Sequence, residues 1–312
     1  MRNHSSVTTF ILLGLTNDPQ LEIVVFIFLF LTYLFSVLGN LAIMVLILVD
    51  SHLKTAMYFF LQNFSFLELS LTTACVPAYL YTILSGDKTI SLEACFFQVG
   101  FIDIVAATDF FLLAVMSYDR YVAICKPLHY VTIMNRRVCR ILILCCWASG
   151  FLVISPPLGL GLLLEFCGSV INHYYCDPSP LLKNSCSDTF LIEQMVVASS
   201  VLIFITTLVG VAVSYISIIR MILRLPSAQQ RKKAFSTCSS HLIVVSLSYG
   251  SCIFMYIKPS AKDDVDINKV VSLLTISIAP SLNPFIYTLR NKQVRQSFHD
   301  TLKRFAFLSK SH

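Results

Sequence analysis

Four ionisable side chains lie inside stretches that are otherwise apolar, and they are the residues that could do chemistry. Glu68, Asp103 and Asp109 are acids, and Arg120 follows the two aspartates at the end of their stretch. An ionisable side chain in an apolar segment is costly unless it is paired or hydrated, so each marks a candidate functional position. Glu68 and Asp109 cannot both stay charged and unpaired, and desolvation favours either a shared cation or protonation.

Enzymatic chemistry is not predicted for these residues. The sequence contains no HExxH motif, P-loop, dinucleotide-binding fingerprint or hydrolytic triad. The eleven cysteines form no C-x-x-C pair and no Cys/His spacing that is typical of a metal site. We therefore expect a protein that is not an enzyme and has no cofactor, apart from the cation that Glu68 and Asp109 could share.

The elements that carry the four side chains are long and apolar. Hydrophobic residues make up 56% of the 312 residues and charged residues 13%, with a mean hydropathy of +0.76, whereas soluble domains are roughly 45–50% apolar. A helix needs about 20 predominantly apolar residues to span a membrane. The sequence predicts an all-α membrane protein, a bundle of seven transmembrane helices at about 23–49, 56–84, 94–120, 141–164, 194–220, 234–257 and 270–290.

The orientation of the bundle follows from Lys and Arg, which are in excess on the cytoplasmic side of membrane proteins. Of the 23 such residues, six lie in segments assigned to the outside, namely Arg2, Lys88, Lys183, Lys258, Lys262 and Lys269. The predicted organisation is an extracellular N-terminus at 1–22, a transmembrane domain at 23–290 with a long extracellular loop at 165–193, and a cytoplasmic tail at 291–312. The net charge of +6 then reflects orientation in lipid and does not imply nucleic-acid binding.

Cysteine positions agree with that orientation. Four cysteines fall in segments assigned to the outside, where disulfides can form and persist: Cys95, Cys167, Cys176 and Cys186. Four cysteines allow three pairings, and the residues alone leave all three open. A long loop without regular structure usually has a function, so we interpret 165–193 as a disulfide-linked lid over the outer mouth. Asn3 begins an Asn-His-Ser acceptor for glycosylation on the exposed N-terminus.

Five motifs in a fixed order along the chain are far more specific together than any one of them, since an isolated Asp-Arg-Tyr would be weak evidence of a family. They are 57–61 (MYFFL), 116–130 (MSYDRYVAICKPLHY), 214–215 (SY), 233–241 (KAFSTCSSH) and 280–291 (PSLNPFIYTLRN). Their combination closely resembles the olfactory receptors within the rhodopsin-like G-protein-coupled receptors, over essentially the whole chain. The sequence is most similar to the tetrapod-type class, family 6, subfamily C, although Ser117 stands where the family usually has Ala.

The resemblance implies an activation site at the cytoplasmic end of the helices. Its members would be Asp119, Arg120, Tyr121, Tyr215, Asn283, Pro284 and Tyr287. Arg120 would move from an inactive-state partner, for which Asp119 is the adjacent candidate, towards the G protein, and Tyr215 and Tyr287 would stabilise the new position. The alternatives are an arginine that only reaches the membrane interface and an ordinary proline kink.

The resemblance also suggests a role for the acids in helices two and three. With Asn40 and Asn283, Glu68 and Asp109 could form a sodium-and-water site that is emptied on activation. Olfactory receptors commonly have Asp in helix two and Glu in helix three, so the side-chain lengths are exchanged here. The alternative is a protonated, hydrogen-bonded pair without metal.

Candidate ligand contacts come from helical spacing together with the resemblance. Residues three and four apart share a helix face, which places Asp103, Ala106, Ala107 and Phe110 on one stripe. The family comparison sets this stripe opposite Ser199, Ile203, Tyr249, Cys252, Ile253 and Tyr256. Such walls would suit a small odorant, with few polar anchors; the alternative is that these residues only pack helices together. Asp103 could receive an amine or a hydroxyl group, or bond to a neighbouring helix.

The function that the resemblance implies is odorant detection. A small volatile molecule would bind within the bundle and activate a heterotrimeric olfactory stimulatory G protein, which raises cyclic AMP at the plasma membrane of olfactory cilia. The same resemblance suggests the disulfides Cys95–Cys176 and Cys167–Cys186. One rival is a receptor for a lipid or an amine, which Tyr249-Gly250 and the three-cysteine loop argue against. Another is a transporter or channel, for which repeats and paired interrupted helices are missing from the sequence.

Overall fold

The computed structural model describes residues 7–257, 265–290 and 294–300, with side chains except at 237, 254–257, 265–267 and 288–290. The described chain folds mainly into seven long helices. They are α1 (Pro19–Val49), α2 (Ala56–Ser85), α3 (Leu92–Cys125), α4 (Arg136–Gly161), α5 (Phe190–Arg224), α6 (Ala228–Ile257) and α7, which joins Val265–Leu273, a π-helical segment Leu274–Ile278 and Ala279–Arg290.

These helices have the length and composition of membrane spans. Six candidate spans are found in the described residues, in α1 to α5 and over Asn268–Tyr287 of α7, and α6 has a shorter apolar segment at Cys238–Ile253. Many large apolar side chains on the outer faces are exposed, and Leu144 and Val209 are more than half exposed. Lipid would cover such faces. The architecture is the seven-helix bundle that the sequence predicts.

Several helices extend beyond the charge-free stretches of the sequence, because polar caps stabilise their ends outside the hydrocarbon region. Asn135 caps α4, accepting a hydrogen bond of 3.0 Å from the backbone of Val138, so α4 begins with charged residues. Asp18 caps α1 through the backbone of Gln20 at 2.9 Å. Side-chain oxygens at such positions satisfy backbone donors that the first helical turn leaves free.

The third helix lies at the centre of the bundle, where α2, α4 and α5 all pack against it. Leu112 and Leu113 in its middle are buried completely or nearly so. On the α4 side, a Cβ atom built onto Gly150 would lie 2.6 Å from Oγ1 of Thr108. The missing side chain at Gly150 therefore allows α4 to approach α3 closely, and this fixes the wall of the space between α3, α4 and α5.

The outer end of the bundle is covered by a small three-stranded sheet, which the sequence did not predict. Strand β1 (Thr9–Leu12) pairs antiparallel with β2 (Thr89–Ser91) and parallel with β3 (Val170–Ile171). Phe10 at the centre of β1 is fully buried. The sheet thereby joins the N-terminal segment to the long outer loop, which also contains a short helix at Pro178–Leu182.

Candidate ligand cavity and activation site

A cavity of about 420 Å³ lies beneath the outer loop, enclosed by α3, α4, α5 and α7 with contributions from α2 and α6. Most of its walls are apolar. The lining residues are Leu71, Phe96, Val99, Ile102, Asp103, Ala106, Ala107, Phe110, Ile154, Pro157, Leu158, Gly161, Tyr175, Asp177, Pro178, Ser179, Leu181, Leu182, Ile192, Val196, Ser199, Ser200, Ile203, Phe204, Cys252, Ser272, Thr275 and Ile276. Concave, largely apolar sites of this kind suit small organic molecules.

Seven of the predicted ligand contacts lie on this cavity. They are Asp103, Ala106, Ala107 and Phe110 on α3, Ser199 and Ile203 on α5, and Cys252 on α6. The stripe that helical spacing predicts on α3 therefore faces the cavity. The hydroxyl of Ser199 also donates to the backbone oxygen of Val153 at 3.3 Å, which links α5 to α4.

Two predicted contacts, Tyr249 and Ile253, are not among the residues that line this cavity. Tyr249 is buried behind the cavity wall, and its ring centroid lies 5.2 Å from that of Phe110 and 5.6 Å from that of Phe204. It supports two lining side chains without reaching the lining itself. Ile253 is 38% exposed and does not line the cavity, because it follows Cys252 by one position and lies on a different face of α6. The side chain of Tyr256 lies outside the described residues.

Two carboxyl groups line the cavity, and one of them was not predicted. Asp103 comes from α3, and Asp177 comes from the outer loop directly after Cys176. Burial raises the pKa of the Asp177 carboxyl, while hydrogen bonds from the backbone of Ser179 and the hydroxyl of Tyr175 lower it. No hydrogen bond to Asp103 is found within the described part of the chain. Its carboxyl group is therefore available to a molecule in the cavity.

The outer loop is held over the cavity by covalent and polar contacts. The structure contains the disulfides Cys95–Cys176 and Cys167–Cys186, which is the pairing that the resemblance suggests. The backbone of Cys176 donates to Oε1 of Gln98 on α3 at 2.9 Å. Gln98 in turn donates to the backbone oxygen of Ala74 on α2 at 2.8 Å. These contacts fix the loop to two helices at the point where Asp177 enters the cavity.

An aromatic cluster continues this lid towards α7. The ring of His173 stacks on Tyr174 and meets Tyr175 edge to face, with centroids 4.9 and 4.4 Å away. Tyr174 lies 5.4 Å from Tyr79 on α2. Burial, together with the positive charge of Lys269, lowers the pKa of His173 to about 4. The imidazole is therefore neutral at physiological pH.

A polar layer lies below the cavity in the middle of the bundle. Asn283 donates to Oε1 of Glu68 at 2.7 Å, and both residues are buried. The other carboxyl oxygen of Glu68 and Oδ1 of Asp109 are buried without a hydrogen-bond partner among the described residues. Two orphaned carboxyl oxygens fit a small hard cation. The amide nitrogen of Asn40 is engaged elsewhere, since it donates to the backbone oxygens of Ser36 and Pro280 at 2.9 and 3.1 Å.

The predicted activation site centres on a buried ion pair near the inner end of α3. Nε of Arg120 donates to Oδ2 of Asp119 at 3.1 Å, and Nη2 donates to the same oxygen. Only 5% of Arg120 and 1% of Asp119 are exposed. The guanidinium is therefore paired with Asp119 and buried inside the bundle. Tyr121, by contrast, lies beneath the ammonium of Lys126 at 5.8 Å.

The other predicted members surround this pair without bonding to it. The hydroxyl of Tyr215 shares a hydrogen bond of 2.7 Å with Nδ1 of His241 on α6. Tyr287 is buried against the ring of Phe64, and its hydroxyl has no partner among the described residues. Pro284 packs against α1, where a Cβ atom on Gly39 would lie 2.8 Å from the Cβ of Pro284. In this arrangement both tyrosines are held apart from Arg120.

Comparison with known proteins decides the family. A family profile described as olfactory receptor matches residues 29–304. The chain belongs to the olfactory receptor family. Among human relatives, the receptor is 67% identical to Olfactory receptor 6C2, over 99% of this chain and 100% of that protein. It is 63% identical to Olfactory receptor 6C68, over 98% of this chain and 99% of the relative, and 59% identical to Olfactory receptor 6C74, over 99% of each.

Membership fixes the class of the receptor and confirms the predicted family and subfamily. The receptor is a multi-pass membrane protein of the G-protein-coupled type and is not an enzyme. Its two disulfides and its bundle of apolar helices agree with that class. The predicted glycosylation acceptor at Asn3 lies outside the described residues.

Sequence reasoning missed several residues of both sites in the receptor. In the cavity these are Tyr175 and Asp177 of the loop and Ser272, Thr275 and Ile276 of α7. The run His-Tyr-Tyr-Cys-Asp before the short helix was a signal that could have found the loop residues. In the activation site they are Tyr130, which bonds to Asp119, and His241, which bonds to Tyr215. Both lie within motifs that carried the resemblance.

Proposed function

We propose that the receptor detects small volatile organic molecules in the cavity beneath the outer loop and activates a heterotrimeric olfactory stimulatory G protein, which raises cyclic AMP. The observation that carries this proposal is that one helix joins the two sites. Asp103 and Phe110 on α3 line the cavity, and Asp119 and Arg120 form the ion pair further along it. The residues 103 and 120 are about 25 Å apart along the helix axis.

The ligand class follows from the chemistry of the cavity walls. Two carboxyl groups, Asp103 and Asp177, line the cavity, and no Lys, Arg or His is found among its described lining residues. A molecule with an apolar body and an amine or hydroxyl group would bury its body against the apolar walls and donate to a carboxyl oxygen. Hydrogen bonds in which one partner is charged are about twice as strong as neutral ones, so amines are the preferred ligands.

Activation would release Arg120 from Asp119 towards the cytoplasm. A ligand that displaces α3 or its neighbours would change the surroundings of the Asp119–Arg120 pair. Separating the pair leaves a buried charge without a partner, which is costly. Tyr215 and Tyr287 lie on α5 and α7, so a rearrangement of these helices would bring their hydroxyls to the freed guanidinium. At present Tyr215 is bonded to His241, and that bond would have to break first.

A sodium ion would bind in the polar layer between the two sites. Glu68 and Asp109 would hold it through the carboxyl oxygens that lack partners, with Asn283 orienting Glu68 and Asn40 holding α1 to α7. The bound ion would offset one of the two negative charges and reduce the repulsion between the carboxylates. Its loss on activation would leave two buried acids that repel each other, which would favour a different packing of α2, α3 and α7. The alternative in this layer remains a shared proton.

The cytoplasmic surface offers apolar side chains to a protein partner. Leu128 is 93% exposed and Val131 is 81% exposed, and both lie in the connection that follows α3. Exposed apolar groups beside a functional residue are typical of protein interaction surfaces. We assign this surface to the G protein, at the plasma membrane of olfactory sensory cilia.

The proposal is tested by screening a chemically broad odorant panel in cells that carry a cyclic AMP reporter. We expect concentration-dependent responses with the receptor and none with Arg120→Ala at equal surface expression, because the proposal assigns Arg120 to activation of the G protein and Arg120 does not line the cavity. Uptake of the active odorant is measured in the same cells. Odorant uptake without a cyclic AMP response would favour a transporter and overturn the proposal, as would a full response from Arg120→Ala.

A further inference from the structure

A second cavity lies at the opposite end of the bundle, between the inner ends of α1, α2 and α4. Its volume is about 720 Å³, and no residue that lines it also lines the odorant cavity. We call it the inner groove and define it by Leu48, Lys54, Phe59, Tyr130, Arg136 and Arg140, which are among its lining residues. Tyr130 belongs to both sites, because its hydroxyl also bonds to Asp119 of the activation site, and Val131 of the cytoplasmic surface lines the groove as well.

The inner groove is positively charged. Lys54, Arg136 and Arg140 line it, whereas no Asp or Glu occurs among its described lining residues. The two arginines are exposed and lie one helical turn apart on α4, so their guanidinium groups share one face. Arg136 is also the first residue of α4, and the N-terminus of a helix carries partial positive charge that attracts anions. The groove therefore has the charge and the donors to bind an anion.

The other wall of the inner groove is apolar and exposed. Leu48 is 59% exposed near the end of α1, and Val131 beside Tyr130 is 81% exposed. Phe59 contributes a partly buried aromatic ring. A small soluble anion would contact only the basic side chains and leave this apolar surface uncovered. An occupant that fits both walls has an anionic group joined to a hydrocarbon chain.

We propose that the inner groove binds the headgroup of an anionic phospholipid of the cytoplasmic leaflet. The orientation of the bundle places the groove in that leaflet, where anionic lipids are concentrated and basic pockets between helices recognise their headgroups. Arg136 and Arg140 bind the phosphate oxygens through their planar donor groups. The acyl chains lie along Leu48 and the outer surface of α1. The site is separate from the cavity beneath the outer loop, with which it shares no lining residue.

The test measures lipid binding to the purified full-length receptor by native mass spectrometry, with phosphatidylinositol 4,5-bisphosphate as the probe and phosphatidylcholine as the reference lipid. We expect the anionic lipid to bind in preference to phosphatidylcholine. The double substitution Arg136→Gln and Arg140→Gln should weaken its binding roughly thirtyfold, or about fivefold for each charge. Arg137→Gln is the matched control, because Arg137 is an exposed neighbour that does not line the groove. The pair Arg136→Lys and Arg140→Lys retains the charge but loses the planar donors, and should bind the lipid more tightly than the Gln pair and less tightly than wild type.

Several results would overturn the assignment. Equal weakening by Arg137→Gln would show that the lipid is attracted to the whole cytoplasmic surface. Unchanged binding to the Arg136→Gln and Arg140→Gln protein would place the lipid elsewhere. Soluble inositol trisphosphate that binds as tightly as the lipid would show a phosphate site without a role for the apolar wall. Cholesterol that displaces the anionic lipid from wild-type receptor, and binds the double variant equally well, would show a sterol groove instead.

Discussion

The hydroxyl of Tyr130 donates a hydrogen bond of 2.8 Å to Oδ1 of Asp119, the same carboxylate that pairs through Oδ2 with Arg120. Tyr130 begins the short inner helix Tyr130–Ile133, so the connection after α3 helps to hold the carboxylate in place. Burial raises the pKa of Tyr130, and the negative charge of Asp119 raises it further. The hydroxyl therefore keeps its proton and acts as a donor, which stabilises Asp119 in the orientation that holds Arg120.

Tyr130→Phe should raise basal cyclic AMP in the absence of odorant. The substitution removes one hydrogen bond to a charged group, and such bonds contribute about 1.5–3 kcal/mol. If the bond is lost on activation, the equilibrium between inactive and active receptor shifts roughly tenfold or more towards the active state. Basal cyclic AMP at equal surface expression measures this shift.

The matched control for that substitution is Tyr118→Phe. Tyr118 lies on α3 next to Asp119 in sequence, is 42% exposed and stacks on Tyr121, and the hydrogen bonds to Asp119 come from Arg120 and Tyr130. Its loss of a hydroxyl group should leave basal signalling unchanged. A Tyr130→Phe receptor with the basal activity of wild type would contradict a restraining role for this hydrogen bond.

The sequence predicted those parts of the fold that follow from the need to span the hydrocarbon core of a membrane. Long charge-free stretches specify the helices, and the Lys and Arg bias specifies their orientation. The ends of α4 and α5 could not be predicted in this way, because polar caps and charged first turns lie outside the apolar stretches. Strand β1 was also missed, since its pairing with β2 and β3 joins residues that are far apart in sequence.

The candidate sites were predictable where one helix supplies neighbouring residues. Asp103 and Phe110 were found from helical spacing on α3. Asp177 could not be found in this way, because its place in the cavity depends on the disulfide at Cys176 and on the path of the loop. The position of Ile253 outside the lining could not be predicted, since the rotation of α6 about its axis is set by packing against neighbouring helices and not by local sequence.

Asp103→Asn should weaken responses to amine odorants selectively. The substitution removes the carboxylate that an ammonium group would pair with and changes the volume little, and a buried charge pair that loses one partner leaves an uncompensated charge worth several kcal/mol. Hydrocarbon odorants of matched size make no such pair, so the response of the receptor to them should be unchanged or stronger. Concentration-response curves for both ligand types, normalised to surface expression, measure the difference.

Asp188→Asn serves as the control for this charge change, because Asp188 lies outside the cavity and caps the backbone of Phe190 at 3.0 Å. It should leave both ligand types unaffected. Equal loss of both ligand types in Asp103→Asn would mean that the carboxyl group supports folding, and Asp103 would be removed from the ligand-binding site.

Acid should loosen the lid through His173. Its pKa in the folded receptor is about 4, below the ordinary value of 6.5, so the unfolded state takes up a proton first. The contribution of neutral His173 to stability is present above pH 6.5 and is lost as pH falls from 6.5 to 4, by about 3 kcal/mol in all. Lys269 and the rings of Tyr174 and Tyr175 are the ionisable groups that face it.

The measurement is the thermal stability of the purified receptor between pH 7 and pH 4. His173→Gln should be less stable at pH 7 and should lose less stability on acidification than wild type. His129 is an exposed histidine at the inner face, and the His129→Gln receptor should lose as much thermal stability on acidification as wild type. Wild-type acid sensitivity in His173→Gln would mean that other groups in the lid or bundle cause the loss.

The central claim is that odorants act from the cavity lined by α3, and Ala106→Leu tests it most directly. The added side chain would fill part of the 420 Å³ that the ligand occupies, whereas Ala148→Leu adds the same atoms to an exposed position on α4. For an agonist found in the odorant panel, the cyclic AMP concentration-response curve is measured in both variants at equal surface expression. The account predicts at least a tenfold rise in the half-maximal concentration for Ala106→Leu, or loss of the response, and no change for Ala148→Leu. Wild-type sensitivity in Ala106→Leu, across agonists large enough to fill the cavity, would contradict it.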